Sequence, residues 1–164
     1  MKLIITGHDY AGKSTILKEL WKKYDNGKMS YIHLSYREPT NYRFYKSTLR
    51  YSNFLMDRCF LDELIYPEVF NRNQHLSIRG AKKLLKYCKD NDIVLIVLKC
   101  SGAEIKKRIA KRGGTEEKEV LDNINHIRAL YIYYANEFGI PLVDTTDKSV
   151  NDIIKEIETY IDNS

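Results

Sequence analysis

Residues 1–14, MKLIITGHDYAGKS, decide how the rest of the chain is read. Leu3-Ile4-Ile5 is a short apolar run of the kind that makes a strand buried inside a parallel sheet. Gly7 to Ser14 then fits G-x-x-x-x-G-K-[ST] at every specified position. Behind it, Ser14 to Tyr24 carries Ile16, Leu17, Leu20, Trp21 and Tyr24 at helical spacing. Strand, glycine-bounded loop and helix is the context that this pattern requires. Gly7 and Gly12 permit backbone angles closed to other residues, so N–H groups can gather around phosphate oxygens. The helix start adds free donors and the positive end of its dipole. Four specified positions arise by chance about once per few hundred chains of this length, and the flanking elements make a chance turn rarer still. The stretch predicts a nucleoside triphosphate site, with Lys13 reaching the β- and γ-phosphates and the Ser14 hydroxyl on Mg²⁺.

Bulk composition bounds the rest. At 164 residues, with 43% hydrophobic and 30% charged residues, the chain is expected to form one globular domain over residues 1–164. A net charge of +5 suits anionic partners, nucleotides and nucleic acid alike. The basic residues are scattered rather than gathered in one tail, so charge alone does not choose between them. Cys59, Cys88 and Cys100 form no C-x-x-C pair and no secretory leader is recognised, which points to reduced thiols and a cytoplasmic location. The longest apolar run, Ile93–Leu98, is far short of the ~20 residues of a membrane span.

Along the chain, strands and helices are expected to alternate. Strands are read at Met29–Ser35, Asn53–Met56, Ile93–Leu98 and from Ile140 to Val143. Helices are read at Tyr42–Tyr51, Leu61–Asn73 with a bend at Pro67, Ile78–Lys89 capped by Ser77, Ala103–Arg112, Glu116–Phe138 ended by Gly139, and Val150–Ile161. Alternation of this kind gives an α/β fold, a parallel sheet of about five strands with helices on both faces, and ligands collect at the carboxyl ends of such strands.

Those ends carry the remaining candidates. An apolar strand running into Asp57 is suited to hold Mg²⁺ or to orient a hydroxyl nucleophile, and Arg58 beside it to clamp an anionic acceptor; the bland reading is a surface ion pair. Arg37-Glu38-Pro39 by itself reads equally well as a solvated loop. Lys106, Lys107, Arg108, Lys111 and Arg112 before Gly113-Gly114 read either as a solvated basic face or as a lid, about 108–119, whose arginines close on transferring phosphates. His8 is read as a variable loop position, and His33, His75 and His126 show no metal-ligand spacing. Tyr131, Tyr133 and Tyr134 are expected in the core, while Tyr66 and Tyr42 are placed to flank an acceptor base. The absence of N-K-x-D, of a D-x-x-G switch between the motifs and of L-S-G-G-Q sets aside GTPase and motor-type readings.

In this combination the sequence resembles the thymidylate kinase family and its wider group of P-loop nucleoside and nucleotide kinases, phage-encoded members included. The matching stretches are GHDYAGKST, Arg37-Glu38-Pro39, Asp57-Arg58 followed by Tyr66, and Arg108-Ile-Ala-Lys-Arg-Gly113 with Arg128-Ala-Leu-Tyr131, in that order over nearly the whole chain. The resemblance implies a three-layer P-loop NTPase fold and kinase activity with ATP and Mg²⁺. It implies that Gly7, Ala11, Gly12, Lys13, Ser14 and Thr15 surround the donor phosphates and that Thr145 borders the donor base. Asp9 and Glu38 would lie near the acceptor sugar and the metal, with Arg37 and Tyr66 on the acceptor side, Arg58 gripping the acceptor, Asp57 assisting metal or nucleophile, and Arg108 and Arg112 in the lid. The stretch between Glu38 and Asp57 is much shorter than the family's, Cys59 and Asp62 replace its tyrosine and serine, and Glu116-Glu117 stand where its lid often has Asp-Arg. These departures leave the acceptor base open. The expected reaction is phosphoryl transfer from Mg-ATP to a (deoxy)nucleoside monophosphate. A nucleoside or polynucleotide 5′-hydroxyl kinase on the same fold is the alternative, and a nucleic-acid-binding NTPase switch the reading from another class. A small-molecule acceptor is favoured over nucleic acid, no membrane partner is expected, and a homodimer is compatible with the sequence.

Overall fold

The computed structural model describes residues 1–35, 40–112 and 118–163. Five strands, β1 (Lys2–Gly7), β2 (Ser30–His33), β3 (Phe54–Asp57), β4 (Val94–Lys99) and β5 (Leu142–Asp144), form one parallel sheet in the order β2-β3-β1-β4-β5. The helices are α1 (Lys13–Tyr24), α2 (Tyr42–Thr48), α3 (Asp62–Val69), α4 (Ile78–Asp90), α5 (Gly102–Arg112), α6 (Lys118–Phe138) and α7 (Val150–Asp162).

Alternation along each strand splits the core into two layers. Leu3, Ile5, Leu55, Ile96 and Leu98 face α1 and α7, meeting Ile16, Leu17, Leu20, Ile153 and Ile157. Ile4, Met56, Leu95 and Val97 face the other way, onto Leu64 of α3, Leu84 of α4 and Tyr131 of α6. Full burial of each such side chain is worth about 1.5–3 kcal/mol, so the central strands anchor the fold from both sides. A smaller cluster of Tyr10, Cys100, Ile105 and Ile124 fastens α5 and α6 onto the loop after β1. No described helix is long and apolar enough to cross a membrane.

Several elements differ from the sequence reading for identifiable reasons. The helix expected to Asn73 ends at Val69, because Asn71 takes a left-handed φ of 49° and breaks the turn. The last strand begins at Leu142 rather than Ile140, since the Ile140 N–H is committed to Ala135 O across Gly139, whose φ of 62° closes α6 in a Schellman motif. Tyr131 and Tyr134 are buried as expected, but Tyr133 is 57% exposed and points away from the core. Glu116 lies outside the described residues, and the long helix is described from Lys118.

The topology positions the site. From β1 the chain crosses to the β2 edge, whereas from β3 it crosses back past β1 to β4, so the connections diverge at the carboxyl ends of β1 and β3. There the register sets Ile5 beside Asp57 and Asp57 beside His33.

Candidate active site

The loop between β1 and α1 is held by contacts that its sequence imposes. Gly7 has φ 139°, and a Cβ there would lie 2.2 Å from Leu98 O of β4, so no other residue fits without displacing backbone. Gly12, at φ 95°, caps α1. Lys13 is 7% exposed, and its ammonium donates to Gly7 O (2.7 Å) and His8 O (2.9 Å) and lies 4.0 Å from Asp9 Oδ1. Burial lowers its pKa from the ordinary lysine value, opposed by the Asp9 carboxylate. Ser14 and Thr15, by contrast, are exposed. Ala11 is fully buried and takes part through its carbonyl, which accepts from Thr145 Oγ1 at 2.9 Å.

His8 corrects the sequence reading. It is fully buried rather than a variable loop position, and its ring bridges the loop to the end of β4. The Cys100 N–H donates to Nε2 (3.1 Å), which leaves Nδ1 to donate to Asp9 O (2.7 Å) and fixes a neutral tautomer. Burial, reinforced by the charges of Lys13 and Arg128, lowers its pKa to about 4. Arg128 itself donates to Cys100 O at 2.6 Å, tying α6 to the same strand end.

Two strands and α3 build the opposite wall. Asp57 closes β3 and is 5% exposed. Its Oδ2 pairs with His33 Nδ1 at 2.9 Å, while its Oδ1 is buried with no hydrogen-bond partner. Arg58 follows at φ 73° and donates from Nη2 to Asp9 Oδ1 (3.1 Å) and from Nη1 to the Tyr66 hydroxyl (3.2 Å), with Asp62 at 3.5 Å. Burial works against its charge, but Tyr66, Asp62 and Asp9 outweigh that and raise its pKa. Tyr66 is 1% exposed and donates to Asp9 Oδ2 at 3.0 Å, so it acts on the cleft through Asp9 and Arg58 rather than by offering a ring face to a base. Burial opposes ionisation of Asp9, yet Lys13, Arg58 and the Tyr66 hydroxyl hold its carboxyl below the usual value.

Asp62, which sequence reading noted only as a substitution, is the brace under this wall. Its carboxylate accepts from Thr6 Oγ1 (3.1 Å), Cys59 N (2.9 Å) and Tyr131 Oη (2.8 Å), joining β1, α3 and α6. Glu63 beside it is buried and accepts from Thr40 Oγ1 at 2.6 Å. Neither has a local motif; only the packing of α3 against its neighbours reveals them.

Asp9, Lys13, Ser14, Asp57, Arg58 and Arg112 line one polar cleft of about 140 Å³. A second cleft of about 450 Å³ runs on the other side of Gly12, between Thr15, Arg108, Thr145 and the start of α7. Arg108 differs from the lid expectation. Its guanidinium is engaged along its edges by Glu104 (2.8 Å), Tyr10 O (2.7 Å), Thr145 Oγ1 (3.1 Å) and Thr145 O (2.8 Å), so it is a fixed wall of this second cleft. Thr145 is likewise buried, its hydroxyl shared among Ala11 O, Lys99 O and Arg108. Arg112, at the end of α5, lies 5.7 Å over the Tyr10 ring and borders both clefts. Arg37 and Glu38, and residues 113–117 of the lid expected over about 108–119, lie outside the described residues.

The donor set fits a divalent cation of the hard type. Asp57, whose Oδ1 is buried without a partner, and Ser14, whose side chain carries a hydroxyl, line one cleft, the oxygen chemistry that Mg²⁺ takes. Among the described residues no three His, Cys, Asp or Glu side chains gather for a metal, so such an ion would draw its other ligands from phosphate and water.

No protein-family model and no curated protein matches the sequence. Solved structures do match. The YorR protein of Bacillus subtilis, solved in complex with phosphorylated GDP, is 23% identical with a TM-score of 0.79 over 98% of this chain and 96% of that one. Deoxyadenosine kinase from M. mycoides, solved with dCMP and dCDP, is 19% identical with a TM-score of 0.62 and full coverage of both chains. Thymidylate kinase from Candida albicans is 16% identical with a TM-score of 0.65 over 99% of this chain and 91% of that one. The chain therefore shares the three-layer α/β fold of these solved structures, a deoxyadenosine kinase and a thymidylate kinase among them.

Proposed function

We propose that the protein transfers the γ-phosphoryl group of Mg-ATP to a (deoxy)nucleoside monophosphate. One observation carries this reading: a single polar cleft joins Lys13 and Ser14 of the phosphate loop to Asp57 and Arg58 at the end of β3. The neighbours of like fold lend support, since YorR was solved with phosphorylated GDP and deoxyadenosine kinase with dCMP and dCDP.

In this mechanism, transfer is in-line and catalysis is positioning and charge neutralisation. Lys13 exchanges two loop carbonyls for the β- and γ-phosphate oxygens, which match its charge better than the carbonyls do. Ser14 and Asp57 would hold Mg²⁺, and the bound ion would supply neutralisation of phosphate charge. Arg58, oriented by Asp9 and Tyr66, meets the acceptor phosphate, and Arg112 approaches from the end of α5. The edge-bonded Arg108 offers its flat face to the donor base in the larger cleft, which Thr145 shapes.

A second reading, transfer to the 5′-hydroxyl of a nucleoside or polynucleotide, has its own supporting feature. An open groove formed by Lys18, Trp21 and Tyr31 leads away from Ser14, with the two rings edge-on at 5.6 Å and Tyr31 45% exposed. Bases of a single strand stack on surfaces of this kind. The deciding experiment is ADP release from Mg-ATP across nucleosides, their monophosphates and a 5′-hydroxyl oligonucleotide. Rapid turnover with one monophosphate is expected. Stimulation by the oligonucleotide alone replaces the first reading with the second, and ATP binding without stimulation by any acceptor removes both.

A further inference from the structure

We propose that His33 is a positioning residue that aims the Asp57 carboxylate, fixing which of its oxygens faces the reacting groups. The inference rests on the kinase reading for its kinetic consequences, but its geometry stands apart from that reading.

β2 and β3 run parallel, and their register pairs the last residue of one, His33, with the last residue of the other, Asp57. Side chains of directly paired residues emerge on the same face. The result is a 2.9 Å contact between His33 Nδ1 and Asp57 Oδ2. An ionised carboxylate only accepts, so Nδ1 carries the proton and donates. One oxygen of Asp57 is thereby tied to the sheet edge. The other, Oδ1, is buried without a hydrogen-bond partner, and Asp57 itself lines the cleft that holds Lys13 and Ser14. A carboxylate with both oxygens free to rotate would present either one, whereas the imidazole, with the Tyr31 hydroxyl beside the same carboxylate, favours one arrangement. The burial of the two partners is unequal, with 57% exposure for the His33 side chain against 7% for that of Asp57. An exposed ring adds little to the core, so its effect is expected on turnover and not on stability. Nothing in the composition of residues 30–33 signals this; it follows from strand register alone.

Replacement of His33 tests the assignment, since Asn places an amide donor near the position of Nδ1 and Gln places one near Nε2. Steady-state kinetics with the best acceptor are expected to show kcat about tenfold lower in His33→Ala, with KM for ATP within about twofold of the parent. His33→Asn restores most of the loss, His33→Gln does not, and the urea midpoint is the same in all three. A readout independent of turnover is the long-range ¹H–¹⁵N spectrum of the imidazole at about pH 8.5, which distinguishes the two neutral tautomers. The Nδ1–H form is expected in the parent protein and a mixture in Asp57→Ala. Parent-like kcat in His33→Ala, equal kcat in His33→Asn and His33→Ala, or a dominant Nε2–H tautomer in the parent each overturns the proposal. If the parent protein phosphorylates no acceptor, the kinase reading falls, and the tautomer spectrum still decides whether Asp57 is held by His33.

Discussion

The wall of the cleft nearest the phosphate loop is made from one continuous segment, Gly7–Thr15, closed from outside by Arg108 and Thr145. The facing wall is assembled from three elements: His33 comes from β2, 24 positions before Asp57 at the end of β3, and Tyr66 from α3, eight positions after Arg58. The first wall works through backbone: a left-handed glycine, a helix start, carbonyls that hold Lys13. The second works through side chains and through register. Backbone function demands a fixed local spacing and tolerates little change, whereas side-chain function demands only that the right atoms meet, which many sequences can arrange. On the proposed kinase reading, this is why the departures from the thymidylate kinase pattern at Cys59 and Asp62 lie beside the acceptor wall.

The largest expected effect comes from breaking the first wall at its charge. Lys13→Ala removes the group that the proposed mechanism sets against the transferring phosphates, and kcat is expected to fall by at least about 10²–10³-fold, as on loss of a preorganised donor. The buried site it leaves opens onto the cleft, so circular dichroism and the urea midpoint are expected to stay near those of the parent. Near-normal turnover in this variant would mean that phosphate charge is neutralised elsewhere, and the contrast between the walls would lose its basis.

Next comes the joint between the loop and β4. His8 is buried neutral with its pKa lowered from 6.5 to about 4, so between those values the unfolded chain binds the proton that the folded chain refuses. Stability from this group is complete above about pH 6.5 and is lost as pH falls toward 4, on the order of 3 kcal/mol in all. Urea unfolding at about pH 7 and pH 4.5 measures the slope, and His8→Gln, which retains an acceptor for Cys100 N–H without titrating, is expected to flatten it. An equal slope in the variant would place the acid sensitivity in other groups.

These residues also mark how far sequence could be read. The layered parallel fold was legible because each strand and helix declares itself by period, and the phosphate loop because its spacing is local. Boundaries slipped where a cap outweighed the period, as at Asn71 and Ile140. His8 was misread since its partner, the Cys100 N–H, is 92 positions away. Asp62 and His33 carried no signal because their partners lie on other elements, and Arg108 was read as a lid group although its carbonyl partners, Tyr10 O and Thr145 O, come from two separate loops. Everything that depended on one element meeting another was beyond the reach of a periodicity argument.

The smallest expected effect sharpens the comparison most, because it touches the second wall without touching ATP. Tyr66→Phe keeps the buried ring and deletes the hydroxyl that donates to Asp9 Oδ2 and accepts from Arg58. Asp9 and Arg58 keep each other through the 3.1 Å pair, so the site is loosened rather than dismantled. The loss is about 1 kcal/mol of orientation, which reads as a fall of about fivefold in kcat/KM for the acceptor with KM for ATP unchanged. The two constants separate only if the Asp9 side chain belongs functionally to the acceptor wall even though its backbone lies in the phosphate loop. An equal rise in both KM values would instead assign Asp9 to the donor wall, and the division between the walls would run between Asp9 and Arg58 rather than between Lys13 and Asp9.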